Sequence, residues 1–371
     1  MMNSAPLRRS PIHEFHQSSG AKLANFGGWE MPIEYPQESG GGVLNEHAAV
    51  RERVGLFDVS HLGKASVQGD GALEFLNSCI TNDLAKIGDG QAQYNLLCDD
   101  ATGGVIDDLI IYRRSAEDFF LIPNAANTEE VVRRLEQVAP QGITVTNLHN
   151  SYAVFALQGP LAKNVLEDLN VHLTLEYMSF AETEIVGKKV IICRTGYTGE
   201  LGFEIIPNWE DALSIWNALF SSVRKIDGLV AGLGARDTLR TEMGYPLHGH
   251  ELSLQITPVQ ASANWAVAWR KDKFWGKAKL LQEREVGPKR ALRGLKLSER
   301  GIPRAEMRVS KDESGVGVTT SGTFSPTLKS GIALALIEPE IELGEELLID
   351  IRGKQIKATV VKLPFVPSRV R

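Results

Sequence analysis

Two adjacent carboxylates, Asp107 and Asp108, interrupt an otherwise apolar run from Gly103 to Tyr112. In a strand, Ile106 and Ile110 share a face with Asp108 while Val105 and Leu109 share the other with Asp107, so neither acid has a polar face. Asp107 suits the Gly103-Gly104 turn as a backbone acceptor. Asp108 is expected to face a cleft. There, an ionised carboxylate about 4 Å from a positive charge would stabilise it by roughly 4 kcal/mol at an effective dielectric of 20. If that charge develops only in the transition state, the gain is about three powers of ten in rate.

A second chemical cluster is the run Arg194-Thr195-Gly196-Tyr197-Thr198-Gly199-Glu200-Leu201-Gly202-Phe203-Glu204. It lies between two apolar strands, Val190 to Cys193 and Phe203 to Ile206, and its three glycines are expected to supply positive φ for a tight connection. Glu204 falls inside a strand pattern, where a carboxylate is costly without donors. It either pairs with Arg194 or meets a ligand. Ala231-Gly232-Leu233-Gly234-Ala235-Arg236-Asp237 invites a dinucleotide reading, but Asp237 stands where the third glycine is required. Arg236 and Arg240 lie instead one turn apart near a helix start, where Arg236 is either a surface ion pair or a ligand contact. His248-Gly249-His250-Glu251 reads as a polar loop and not as a metal site, because no second ligand cluster accompanies it. No G-x-S-x-G, H-E-x-x-H or Walker motif occurs, which removes the commonest hydrolase, metalloprotease and nucleotide-triphosphatase readings.

The elements that must hold these groups are legible in the spacing. Asn127 to Val138 reads as a helix capped by Asn127, with Glu130 completing a capping box and Val131, Leu135 and Val138 at helical intervals. A helix after Gly159-Pro160 carries Ala162, Val165, Leu166 and Leu169 on one face, and Glu210 to Val223 buries Ala212, Ile215, Trp216 and Leu219. Each follows an apolar strand (Phe119 to Ile122, Ala153 to Leu157, Phe203 to Ile206), so βαβ-type units in an α+β fold are expected. Beyond Glu285 the chain becomes short β-rich runs parted by glycine turns. Residues 286–371 are therefore expected to form a separate small β-barrel, since five or six short strands need closure to hide their edges.

The 371 residues allow two or three domains. A net charge of −6 and a pI near 5.8 give no basic stripe and argue against a nucleic-acid role. Cys79, Cys98 and Cys193 lack CxxC spacing and fit reduced core thiols. No apolar run reaches the roughly 20 residues of a membrane span, and Met1 to Ser10 lacks a signal-peptide core, so a cytoplasmic location is expected.

Seven segments carry a family resemblance: Asn25 to Pro32, Gly55 to His61, Gly103 to Tyr112, Asn124 to Asn127, Arg194 to Glu204, Gly232 to Arg240 and Thr320 to Pro326. Together and in this order they resemble the glycine cleavage T-protein family of tetrahydrofolate-dependent aminomethyltransferases over nearly the whole chain. The resemblance implies a three-domain cloverleaf around a central folate cavity, with residues 1–285 supplying two interleaved α+β domains and 286–371 the barrel. It implies that Asp108 is catalytic, that Tyr197 and Glu204 contact the pterin, and that Tyr94, Asn124, Arg236 and Trp265 occupy other pocket positions.

It further implies tetrahydrofolate as co-substrate and the lipoylated H protein as partner, the methylene of its aminomethyl group passing to folate with release of ammonia. A carboxylate suits the pterin because it accepts the ring N–H and the 2-amino group side by side. Cationic character must develop during transfer, and a carboxylic acid of ordinary pKa is a poor base at neutral pH unless burial raises it, so charge stabilisation is the expected role of Asp108. Pro32, Ser60 and His61 are expected to steer the chain and not the reaction. Leu62 departs from the family's usual methionine. A folate-dependent demethylase acting on a small methyl donor is the alternative activity. A folate-binding module for iron–sulfur cluster assembly is set aside, because its lysine-glycine-cysteine segment is missing.

Overall fold

The computed structural model describes residues 6–371; the first half of the Met1 to Ser10 start lies outside them. Two sheets are packed face to face, each covered on its outer side by helices. One is six-stranded, in the order Phe180–Ile185, Lys188–Cys193, Gly202–Pro207, Phe155–Gln158, Gly55–Asp58, Leu229–Val230. The other is five-stranded, in the order Gln91–Cys98, Val105–Ser115, Asp118–Ile122, Ala65–Gln68, Thr144–Asn147. A core of Phe57, Val59, Ala156, Ile191 and Ile206 from the first sheet and Tyr112, Phe120 and Ile122 from the second fills the space between them.

The expected helices form and bury most of the anticipated faces; Val138, at the end of its helix, is exposed, and Val132 is buried in addition. Ala212–Lys225 packs Ala212, Ile215, Trp216 and Leu219 against the outer face of the six-stranded sheet, with Val165 and Leu166 of Ala162–Asp168 beside them. Thr128–Val138 lays Val131, Val132 and Leu135 on the five-stranded sheet. The βαβ units are split: Asp118–Ile122 and Thr144–Asn147 both run antiparallel to Ala65–Gln68, which lies between them. Intervening antiparallel strands, not direct parallel pairing, thus complete each unit.

Residues after 290 close into a six-stranded barrel in the order Ala291–Leu297, Ser330–Ile337, Ser314–Ser325, Arg308–Lys311, Glu346–Ile351, Lys354–Val361. The strand Arg308–Lys311 has little signal in the sequence. It is only four residues long and carries a bulge, which explains its weak pattern. The helix Leu233–Glu242 ties the barrel to the sheets through buried charge. Arg240 donates to Ser321 Oγ at 2.7 Å and pairs with Glu251 at 3.0 Å. Glu242 accepts from Ser325 Oγ at 2.5 Å and pairs with Arg51 at 2.7 Å.

Beneath the six-stranded sheet, Tyr35 Oη donates to His16 Nδ1 at 2.8 Å, and His16 Nε2 donates to Asp58 Oδ2 at 2.9 Å, both side chains of the latter pair being fully buried. Tyr35→Phe leaves Nδ1 buried without a donor and is expected to cost about 1–2 kcal/mol of stability in urea denaturation. An unchanged midpoint would show that this relay does not contribute.

Candidate active site

A cavity of about 230 Å³ opens where the inner edges of the two sheets meet the loop Tyr245 to Leu247. All seven residues anticipated from sequence line it: Tyr94, Asp108, Asn124, Tyr197, Glu204, Arg236 and Trp265. A shallower groove of about 340 Å³ on the strands Phe180–Ile185 and Lys188–Cys193 contains none of them.

Asp108 is presented by the long strand Val105–Ser115, which pairs with Gln91–Cys98 so that Tyr94 lies one strand away on the same side. Tyr94 Oη donates to Asp108 Oδ2 at 3.0 Å. Asn124, from the turn after Asp118–Ile122, is spent on both aspartates: its Nδ2 reaches Asp108 Oδ1 at 2.8 Å, the Asp108 carbonyl at 3.0 Å and Asp107 Oδ1 at 2.9 Å. Asp107 is fully buried and does not serve the Gly103-Gly104 turn. It accepts from the Asn124 backbone N–H at 3.0 Å and from Asn127 Nδ2 at 2.6 Å. The bulge opposite Cys98 rotates the strand between the glycines and the acids, which removes Asp107 from that turn.

Burial, joined by the negative charge of Asp108, raises Asp107 to about 8. Burial likewise raises Asp108, against the opposing influence of His248, Tyr94 and Asn124. The ordinary aspartate pKa used in the sequence argument therefore does not hold here. The two carboxyls titrate as a pair, and Asp108, the less buried of the two, is the one that ionises first.

Across the cavity, Arg194 does not pair with Glu204. Its guanidinium donates to the carbonyls of Leu175 and Val370, and Glu204 Oε2 accepts from Thr195 Oγ1 at 2.5 Å. Pairing of Cys193 with Glu204 turns this carboxylate inward while Arg194 points outward. Only Gly199 of the three hinge glycines takes a positive φ, at 79°. Gly196 and Gly202 are required for a different reason: a Cβ on either would lie 2.1 and 2.4 Å from the buried Gln158 side chain. That side chain donates to the carbonyls of Thr195 and Phe203 and so clamps the hinge shut.

Arg236 is not a surface ion pair. Its guanidinium lies over the Tyr197 ring at 4.6 Å, and its Nη1 is buried without a hydrogen-bond partner among the described residues. Tyr197 donates to the Pro246 carbonyl and stacks on Tyr245. Trp265, 68 % exposed, stacks on Tyr94 at 5.1 Å and forms the rim.

Sequence reasoning missed several contributors. His61 lines the cavity beside Leu62, the position already singled out for its departure from the family's methionine, and is held down to about 3 by burial and by Arg236, so it is a neutral wall residue whose Nδ1 has no partner among the described residues. Asn127 does not cap its helix, because its amide is committed to Asp107 and, at 3.0 Å, to His248 Nδ1. Glu130 pairs with Arg133 and Arg134 instead of closing a capping box. The histidines of the polar loop are engaged internally, His248 Nε2 with the Val105 carbonyl and His250 Nδ1 with that of Thr320.

A buried carboxylate pair at one side of the cavity and an unsatisfied guanidinium beside a carboxylate at the other suit a polar heterocycle and a cationic reaction centre. Comparison with known proteins decides the lineage. Residues 12–271 match the GCVT N-terminal domain and residues 290–367 the glycine cleavage T-protein C-terminal barrel domain. The chain belongs to the glycine cleavage T-protein family.

It is 58 % identical to an aminomethyltransferase of Parafrankia sp. over 98 % of this chain and 99 % of that one. With an aminomethyltransferase of Mycobacterium tuberculosis (strain H37Rv) it shares 52 % identity over all of both chains. The crystal structure of the glycine cleavage system aminomethyltransferase T from Bartonella henselae superposes with a TM-score of 0.91 at 35 % identity, covering 98 % of this chain and 99 % of that one. By membership the chain is an aminomethyltransferase. Among the described residues, no helix is long and apolar enough to cross a membrane.

Proposed function

We propose that the cavity binds tetrahydrofolate and that the chain transfers to it the methylene of an aminomethyl group carried on the lipoyl arm of the H protein, in the cytoplasm. The overall exchange balances as one thioether carbon lost from sulfur, one ammonia released, two folate N–H groups replaced by the methylene bridge, and the lipoyl thiol restored. Folate supplies the accepting nitrogens; what the protein supplies is grip and charge. The observation that carries the reading is the pairing of Asp108, held by Tyr94 and Asn124, with Glu204 and the unpartnered Arg236 Nη1 in one cavity.

The fit with a pterin is specific. Glu204 keeps acceptor capacity beyond its bond to Thr195, and Arg236 keeps a donor for a carbonyl. Met178, Leu109 and Phe26 give apolar walls for the ring. At about 230 Å³ the space is below the roughly 300–1,000 Å³ of pockets that enclose whole ligands, so it accommodates the ring end and leaves the glutamate end at the mouth near Trp265. On this reading 1–285 is the folate-binding part and 286–371 the barrel that closes its side.

Asp108 is the catalytic residue: its carboxylate favours the cation that forms as the carbon–nitrogen and carbon–sulfur bonds are exchanged. The aminomethyl assignment is tested with aminomethylated H protein offered beside small methyl donors. Methylenetetrahydrofolate from the former supports it; 5-methyltetrahydrofolate from the latter would favour the demethylase. A smaller effect is expected at Tyr94. Tyr94→Phe removes the donor to Asp108 Oδ2, worth about 1 kcal/mol, so turnover should fall roughly fivefold with the stacking on Trp265 kept. Unchanged steady-state turnover would remove Tyr94 from the support of Asp108.

A further inference from the structure

A protonated Asp107 must donate its own O–H to something, since an orphaned buried hydroxyl is costly. Its neighbours are the Asn124 backbone N–H, which cannot accept, and two side-chain amides. Asn124 cannot turn its oxygen inward. Its Nδ2 also faces the Asp108 carbonyl and Asp108 Oδ1, and an oxygen there would meet two more acceptors.

Asn127 can turn. The contact with Asp107 Oδ1 is 2.6 Å, a separation that suits O–H···O as well as N–H···O. Reversal of this amide would also present its oxygen to His248 Nδ1, 3.0 Å away, which must then carry a hydrogen. The other ring nitrogen faces the Val105 carbonyl at 3.2 Å and donates to it in either state. His248 with both nitrogens protonated is an imidazolium.

We infer that Asn127 is a two-position amide that couples protonation of Asp107 to protonation of His248, so that the pair holds one proton on Asp107, an imidazolium at His248 and a lone carboxylate at Asp108. In the opposite position the amide donates to an ionised Asp107 and a neutral His248. Intermediate combinations leave donor against donor or acceptor against acceptor, so the two protons come and go together. His248 and Asn127 are positioning residues: neither lines the cavity, and they act on Asp108 through Asp107 and through charge. The high pKa of Asp107 and the lowering influence of His248 on Asp108 agree with this arrangement. The other titratable groups facing the pair are Tyr94 and Tyr197, whose pKa values burial raises, so neither competes for this proton.

The inference rests on Asp108 being the working carboxylate, but its test does not need turnover. In the full-length protein, the His248 ring nitrogens (assigned by their loss in His248→Gln) and the Asp107 carboxyl carbon are followed by NMR against pH. In the parent, both report one midpoint with a Hill slope well above one, as two linked protons require. Asn127→Ala should separate the midpoints by about one pH unit or more and return both slopes to about one. His248→Gln, whose amide accepts from Asn127 and donates to Val105, should hold the Asn127 N–H on Asp107 and lower the Asp107 midpoint. Independent midpoints in the parent, unmoved by Asn127→Ala, would overturn the coupling even in a fully active enzyme. Loss of aminomethyl transfer with linked midpoints would count against the proposed function alone.

Discussion

Asp108→Asn is expected to lose about 10²-fold or more in turnover while tetrahydrofolate affinity stays within about twofold of the parent. The substitution is close to isosteric, and the surroundings can receive it. The introduced amide can keep the bond from Asn124 Nδ2 on its oxygen, and its nitrogen can donate to Tyr94 Oη, because a hydroxyl rotates from donor to acceptor. Geometry is thus retained and only the charge is removed. Removing that charge also relieves Asp107, whose elevated pKa owes its second cause to Asp108. Asp107 should therefore ionise at lower pH in the variant. It cannot stand in for the lost carboxylate, because it is enclosed by three N–H donors and faces away from the cavity. Steady-state kinetics and calorimetry on the same preparations check both halves. Near-normal turnover would end the assignment of Asp108, and a large loss of folate binding would make it a binding group and not the source of catalysis.

What could be read from the sequence followed from local periodicity. Helix faces at Ala212, Ile215, Trp216 and Leu219 were legible because a 3.6-residue repeat is set by packing against a single surface. The barrel was legible because short strands without helical spacing have few ways to hide their edges. Asp108 and Glu204 stood out because each breaks an apolar strand pattern, a costly event unless something supplies donors.

Several of the misreadings involve residues whose local role was displaced by a distant partner. Asn127 has the chemistry of a cap, worth about 1 kcal/mol at a helix start, yet its amide is committed to Asp107, twenty positions away, and to His248, 121 away. Gly196 and Gly202 have the chemistry of turn residues, yet are small because Gln158 passes against them. His61 faces the cavity because Asp58 to Leu62 leaves the six-stranded sheet beside Arg236. No spacing rule carries contacts of that range, so such residues become visible only when the sheets are assembled.

Glu204→Gln should act on the other half of the reaction, weakening tetrahydrofolate binding by roughly 10- to 100-fold with little change in turnover at saturating folate. Thr195 Oγ1 donates to one oxygen in the parent, which leaves the remaining lone pairs for two ligand N–H groups. The glutamine offers one oxygen and one amide nitrogen. If the oxygen keeps the Thr195 bond, the nitrogen confronts the ligand donors. If the amide reverses, Thr195 must turn its hydroxyl to accept, and only one ligand donor is satisfied. Either orientation loses at least one charge-assisted bond of about 1.5–3 kcal/mol, the range that gives the expected factor. On the proposed binding mode the loss falls on binding, because a glutamate holding a part of the ring that does not change during transfer serves ground and transition states alike. Calorimetric titration with tetrahydrofolate measures it directly, with the thermal midpoint of the free variant as control. Unaltered binding would take Glu204 out of the pocket, and a fall in turnover at saturation would reassign it to the chemistry now given to Asp108.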